Sequence, residues 1–143
     1  MGQPTWRKVM DVKVPDGAGN AWTAALDYVT VGKLYRIEVP STSKWKPESA
    51  NECNADGDAL LTRNGEPIIT TAAVGALIAK IGGSTADLKP DKDKLILFGV
   101  GRHCVFSVSD STKVGSLYLG INDIPNSRSQ MSGELTVTIY ESL

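Results

Sequence analysis

The sequence predicts an all-β sandwich of about eight short strands, and three observations carry that expectation. First, two stretches near the C-terminus alternate with a period of two. Leu117, Leu119 and Ile121 alternate with Ser116, Tyr118 and Gly120; Leu135, Val137 and Ile139 alternate with Glu134, Thr136, Thr138 and Tyr140. That is the pattern of a strand with one face in a core. Second, turn chemistry recurs at short intervals, at Pro15-Asp16-Gly17, Val31-Gly32-Lys33, Asn64-Gly65 and Gly99-Val100-Gly101-Arg102. Third, the most apolar run, Ala72 to Gly82, contains Gly75 and is flanked by glycine, which suits a buried strand better than a helix.

Taken in order, Trp6 to Val14 reads as the first strand, with Val9-Met10-Asp11-Val12-Lys13-Val14 partly alternating. Ala21 to Tyr28 is ambiguous: Ala24-Ala25-Leu26 fits a helix, whereas Thr23, Tyr28 and Val29 favour a strand. Leu34 to Val39 is a strand stopped by Pro40. Ser41 to Gly57 is a long polar excursion with one aromatic, Trp45, and a loop of that length inside a domain is usually functional or mobile. Asp58 to Ile69 continues irregularly. After the apolar strand, Gly83 to Lys94 is a polar linker. Leu95 to Phe98 and His103 to Val108 are short strands, and 110–113 is a loop. The last strand pair is separated by Asn122-Asp123-Ile124-Pro125 and a polar loop from Asn126 to Ser132. Asp123 thus stands at a strand end beside hydroxyl and amide oxygens.

The chain of 143 residues has the length of one domain, residues 1–143, and can bury a real core. Its hydrophobic share of 41% and charged share of 22% are ordinary globular usage, so disorder is not the default. The formal charge is −1 with no block of like charge, so neither nucleic acid nor an anionic membrane is implied as a partner. No apolar run has the length of a membrane span, and Met1 to Trp6 lacks the apolar core of a signal peptide. The expectation is a cytoplasmic chain, one exported without a classical signal, or a piece of a longer protein. Two cysteines, Cys53 and Cys104, are too few for a disulfide scaffold, and free thiols are the favoured reading.

Catalytic sets are not evident. The single histidine, His103, lies in an apolar strand next to Cys104, and strand neighbours point to opposite faces, which argues against a Cys/His pair. No serine sits in a G-x-S-x-G elbow. Gly99-x-Gly101 precedes a strand rather than a helix and carries little phosphate-binding weight. Asn54-Ala55-Asp56-Gly57-Asp58 looks like a cation loop, but position twelve is Gly65 counted from Asn54 or Pro67 counted from Asp56, not glutamate. An ordinary turn is favoured there, and a non-enzyme is the expected class. Trp45 is either a hydrophobic anchor or a sugar-stacking platform, the anchor being commoner. Asp123, with Asn126, Ser127 and Gln130, supplies part of an oxygen shell for calcium. On these residues alone, a turn capped by Asp123 is favoured.

The C-terminal half resembles the LecA-like (PA-I-like) galactose-binding lectins of bacteria. The G-A-L-x-x-K-I-G motif of that family is matched by Gly75 to Gly82, its L-x-x-x-x-N-D-x-P by Leu117 to Pro125, and its S-G-x-x-x-V-x-I by Ser132-Gly133 with Val137-Thr138-Ile139. Further upstream, Trp6, the Tyr28 to Gly32 segment and Lys44-Trp45-Lys46-Pro47 follow in order, so the resemblance covers nearly the whole chain. It implies a jelly-roll-like antiparallel sandwich, a homo-oligomer and calcium-dependent binding of a galactoside. The metal set it implies is Asp123, Ser127 by its carbonyl, and Gln130. The second of two family asparagines falls at Met131, whose thioether is a poor calcium ligand. The expected sugar contacts are Trp45, Asn51, Asp123, Ile124, Ser127 and Gln130. No histidine stands in the loop after Lys44-Trp45-Lys46-Pro47 where the family has one. The expected function is a glycan-binding, lectin-like module, with calcium as its cofactor. The alternative is a structural or protein-interaction sandwich that has lost the sugar site.

Overall fold

The structure, a computed structural model, describes residues 5–15, 22–48, 50–87, 89–91, 93–124 and 131–143. These residues contain eleven strands and no helix. In chain order they are β1 (Trp6–Val14), β2 (Thr23–Ala24), β3 (Leu34–Glu38), β4 (Trp45–Lys46), β5 (Asp56–Asp58), β6 (Val74–Ile81), β7 (Ile96–Gly99), β8 (His103–Ser107), β9 (Leu117–Ile121), β10 (Ser132–Gly133) and β11 (Leu135–Ser142). The all-β, jelly-roll-like sandwich expected from the sequence is therefore present. The strands beyond the expected set are β4, β5 and β10, each two or three residues long. A period of two cannot show itself over so few residues. The polar excursion from Ser41 to Gly57 is accordingly not a plain loop: it carries β4 and β5, and Trp45 also bridges to Cys53.

One sheet has the order β1-β11-β3-β8, antiparallel throughout. The other runs β2-β9-β6, and the far edge of β6 is shared. β5 pairs with Val74 and Ala76, and β7 with Ile78 to Ile81. Alternation places Leu135, Val137 and Ile139 of β11 and Tyr35 and Ile37 of β3 inward. They meet Leu77, Ala79 and Ile81 of β6 and Leu117, Leu119 and Ile121 of β9 in one hydrophobic cluster. Each such aliphatic side chain contributes roughly 1.5–3 kcal/mol by leaving water.

β6 is buried along its whole length, which explains an apolar run without alternation. Its outer face is covered by the polar linker after it. Trp22 N donates to Thr85 O at 3.0 Å, Trp22 Nε1 to Asp87 O at 2.6 Å, and the fully buried Lys80 donates to Ser84 O at 2.7 Å. At the start of β6, two glycines face each other. Gly57 (φ +77°) would press an added Cβ to 2.5 Å from Ala76 N, so only glycine lets β5 approach β6 this closely. This closeness brings the Trp45 loop down onto the end of the sheet where β9 terminates.

Candidate functional site

The site grows from the end of β9. Ile121 is the last paired residue, and Asn122, Asp123 and Ile124 follow it. Asn122 is buried and holds the turn before β6. Its Oδ1 accepts from Ile69 N at 2.9 Å, and its Nδ2 faces the carbonyls of Ile69, Ala72 and Ala73 at 2.9–3.1 Å. Its backbone bonds both ways across the start of β6, to Gly75 N and Ala76 O. A side-chain amide can replace missing ladder bonds in this way because it carries both donors and an acceptor. Asn122 was not singled out by the sequence, beyond its place in the N-D-x-P frame.

Asp123 is completely buried and faces an arginine. Arg63 Nε donates to Oδ1 at 2.9 Å and Nη2 to Oδ2 at 3.0 Å, a bidentate fork. Ile124 N adds a third donor to Oδ1 at 2.8 Å. Arg63 Nη2 also donates to Glu48 O at 2.7 Å, and Asp123 O accepts from Ile68 N at 3.1 Å. The hydrogen bond that Arg63 donates to Asp123 raises the guanidinium above its already high ordinary value, so it stays charged. Arg63 thereby joins three segments: the end of the Trp45 loop at Glu48, its own irregular segment, and the strand end. Sequence reading missed it because Arg63 lies 60 residues from Asp123 in a stretch with no periodicity.

The expected site residues divide as follows. Asp123 and Ile124 stand together at the strand end, with Ile124 half-buried. Asn51 is exposed, beyond the turn closed by Ala50 N and Pro47 O. Ser127 and Gln130, along with Asn126, lie outside the described residues. Trp45 is fully buried, its Nε1 donating to Gly75 O at 2.7 Å, so its ring has no face open to a sugar. It is the anchor of the two roles considered for it. The physical reason is that β4 is clamped between Gly133 of β10 and Cys53. Met131, where the resemblance has an oxygen ligand, is half-buried and packed on the core.

Asp123 offers its oxygens to a guanidinium and a backbone N–H, with its side chain only 1% exposed. Among the described residues, no three His, Cys, Asp or Glu side chains form a group able to hold a metal ion. Calcium takes six to eight oxygens, and the only carboxylate of the expected set is already neutralised. The residues described do not fit that ion.

The other constellations are structural. Asp56 accepts from Arg102 N at 3.0 Å and pairs with Arg102 Nε at 2.7 Å, while Asn54 Oδ1 caps Asp56 N at 2.9 Å. The Asn54 to Asp58 stretch is thus a turn and strand edge. His103 is exposed, 3.7 Å from Glu38 Oε1, and Cys104 packs toward the core. Both cysteines are free thiols; burial pushes Cys53 up to about 11 and raises Cys104. Among the described residues, no helix is long and apolar enough to cross a membrane.

No protein-family model matches the chain, and no curated protein matches it. Among solved structures it is similar to one described as "EclA N-terminal domain; PllA-like lectin", with a TM-score of 0.58 and 20% identity, over 94% of this chain and 97% of that one. With the sheets and core already described, this likeness shows the fold alone: the chain is an all-β sandwich similar to that structure.

Proposed function

We propose that the chain is a carbohydrate-binding module that takes a galactoside or related glycan at the end of the sandwich where β9 terminates, acting by binding and not by catalysis. The single observation that supports this reading most is the likeness to a lectin domain along almost the full length of both chains. The proposed contacts are the exposed amide of Asn51, the strand-end backbone around Ile124, and the polar side chains Ser127 and Gln130. Asp123 takes part through Arg63, because its own oxygens are committed. A homo-oligomer would multiply weak single sites.

The burial of Asp123 favours a second reading: a sandwich of this fold that serves as a structural or protein-interaction unit and binds no sugar. Titration calorimetry with galactosides, first in calcium and then in chelator, separates the two readings when joined to a broad glycan array. Saturable heat in either condition supports the first. Silence in both conditions and on the array overturns it and leaves the second.

A further inference from the structure

We propose that Arg63 is a built-in cation: its guanidinium does at Asp123 what a bound divalent ion would do, and the end of the sandwich is held together without metal. The geometry has three parts. The fork covers both carboxylate oxygens of Asp123 at 2.9 and 3.0 Å. The same Nη2 reaches the carbonyl of Glu48 at 2.7 Å. A carboxylate and a backbone carbonyl from two separate loops, converging on one positive charge, are the ligand types a calcium ion would gather. Here a side chain gathers them, and it is pre-organised because a planar guanidinium matches a carboxylate.

A divalent ion at bonding distance from the same oxygens would have to displace Arg63 or sit against its charge. Arg63 is itself only 12% exposed on its side chain and Asp123 only 1%, so a displaced guanidinium would break the Glu48 contact as well. The half-buried thioether of Met131 adds no oxygen donor. The inference concerns the metal and the loops, and stands apart from whether a glycan binds.

The test therefore contains no sugar. Calcium chloride is titrated by calorimetry into the chelator-treated full chain, and thermal midpoints are compared in chelator and in millimolar calcium. The expected result is no saturable heat and a midpoint change below about 1 °C. A site filled at a hundred times its dissociation constant would raise the midpoint by roughly 5–11 °C. Saturable calcium binding with such a rise overturns the proposal. Arg63→Met supplies the second arm, expected to lower the midpoint by about 6 °C or more, since one buried charge is left alone. A smaller loss overturns the proposal. If Arg63→Met fails to fold, the titration of the native chain decides.

Discussion

The indole Nε1 of Trp45 donates to the carbonyl oxygen of Gly75 at 2.7 Å, inside the fold. Gly75 sits at φ +89°, and an added Cβ there would meet Cys53 Sγ at 2.8 Å and Pro47 Cγ at 3.1 Å. The carbonyl is turned toward the indole because the residue is glycine. Trp45 therefore pins the long polar excursion to β6. Trp45→Phe keeps most of the apolar volume and removes the donor, with an expected loss of about 1–3 kcal/mol in urea unfolding. Trp45→Ala is expected to cost about 3–5 kcal/mol. A Trp45→Phe chain of unchanged stability that binds glycan more weakly would reverse this assignment and make the ring a binding surface.

Arg63 and Asp123 are expected to behave as one unit. Asp123→Asn alone leaves a buried guanidinium without its counter-charge, and Arg63→Met alone leaves a buried carboxylate. Each is expected to cost about 3–5 kcal/mol. The double variant removes both charges and is expected to cost far less than the sum, with a coupling of about 2 kcal/mol or more in a denaturation cycle. Additivity of the two single losses would show that the fork contributes little.

Much of this architecture could be read from the chain because several main strands, β9 and β11 above all, follow a period of two, while β6 shows itself as a long apolar run flanked by glycine. β1 spans Trp6 to Val14 as the sequence indicates, and β3, β6, β9 and β11 lie within a residue or two of their expected bounds. What escaped was what periodicity does not encode. β5 lies against β6 because the facing glycines Gly57 and Gly75 allow close approach, and β10 lies against β4 at Gly133, where an added Cβ would stand 3.1 Å from Trp45 Cα; both are properties of three-dimensional contact. Arg63 escaped for the same reason: an arginine in an irregular segment looks like any solvated charge until the fold brings it to Asp123. The strand-end carboxylate itself was legible, because the N-D-x-P frame follows an alternating run. Its partner was not.

Cys53 gives the fold an alkaline weakness. Burial first, and the nearby charge of Asp58 second, push its thiol from 9.0 to about 11. A raised value means that the folded state favours the neutral thiol. The associated stability is fully present below pH 9.0, where the unfolded thiol is also protonated. It falls as pH rises through about 11, because the unfolded chain gains a thiolate that the folded chain resists. The expected loss is on the order of 2 kcal/mol between those values, measured by urea unfolding against pH. Cys53→Ala is expected to flatten that slope despite lowering stability near neutrality. An identical alkaline slope in Cys53→Ala would assign it to other groups. Iodoacetamide at pH 8 should label Cys53 only after unfolding.

Lys80 supplies the last test, because it is a charge at the centre of the most apolar strand. Its Nζ lies 2.7 Å from Ser84 O, 3.3 Å from Asp87 Oδ2, 5.0 Å from the Trp22 ring and 5.1 Å from the Tyr118 ring. Its stem passes through the sheet face, so the residue acts as apolar filler with a polar tip. Lys80→Met keeps the stem and deletes the tip. The Asp87 side chain is 28% exposed and can regain water, so the expected cost is modest, about 1–2 kcal/mol. Lys80→Ala also empties the space between Trp22 and Tyr118 and is expected to cost about 3–5 kcal/mol. The order matters more than either value: a Met variant as unstable as the Ala variant would show that the charge, and not the packing of the stem, holds Ser84 and Asp87 over β6.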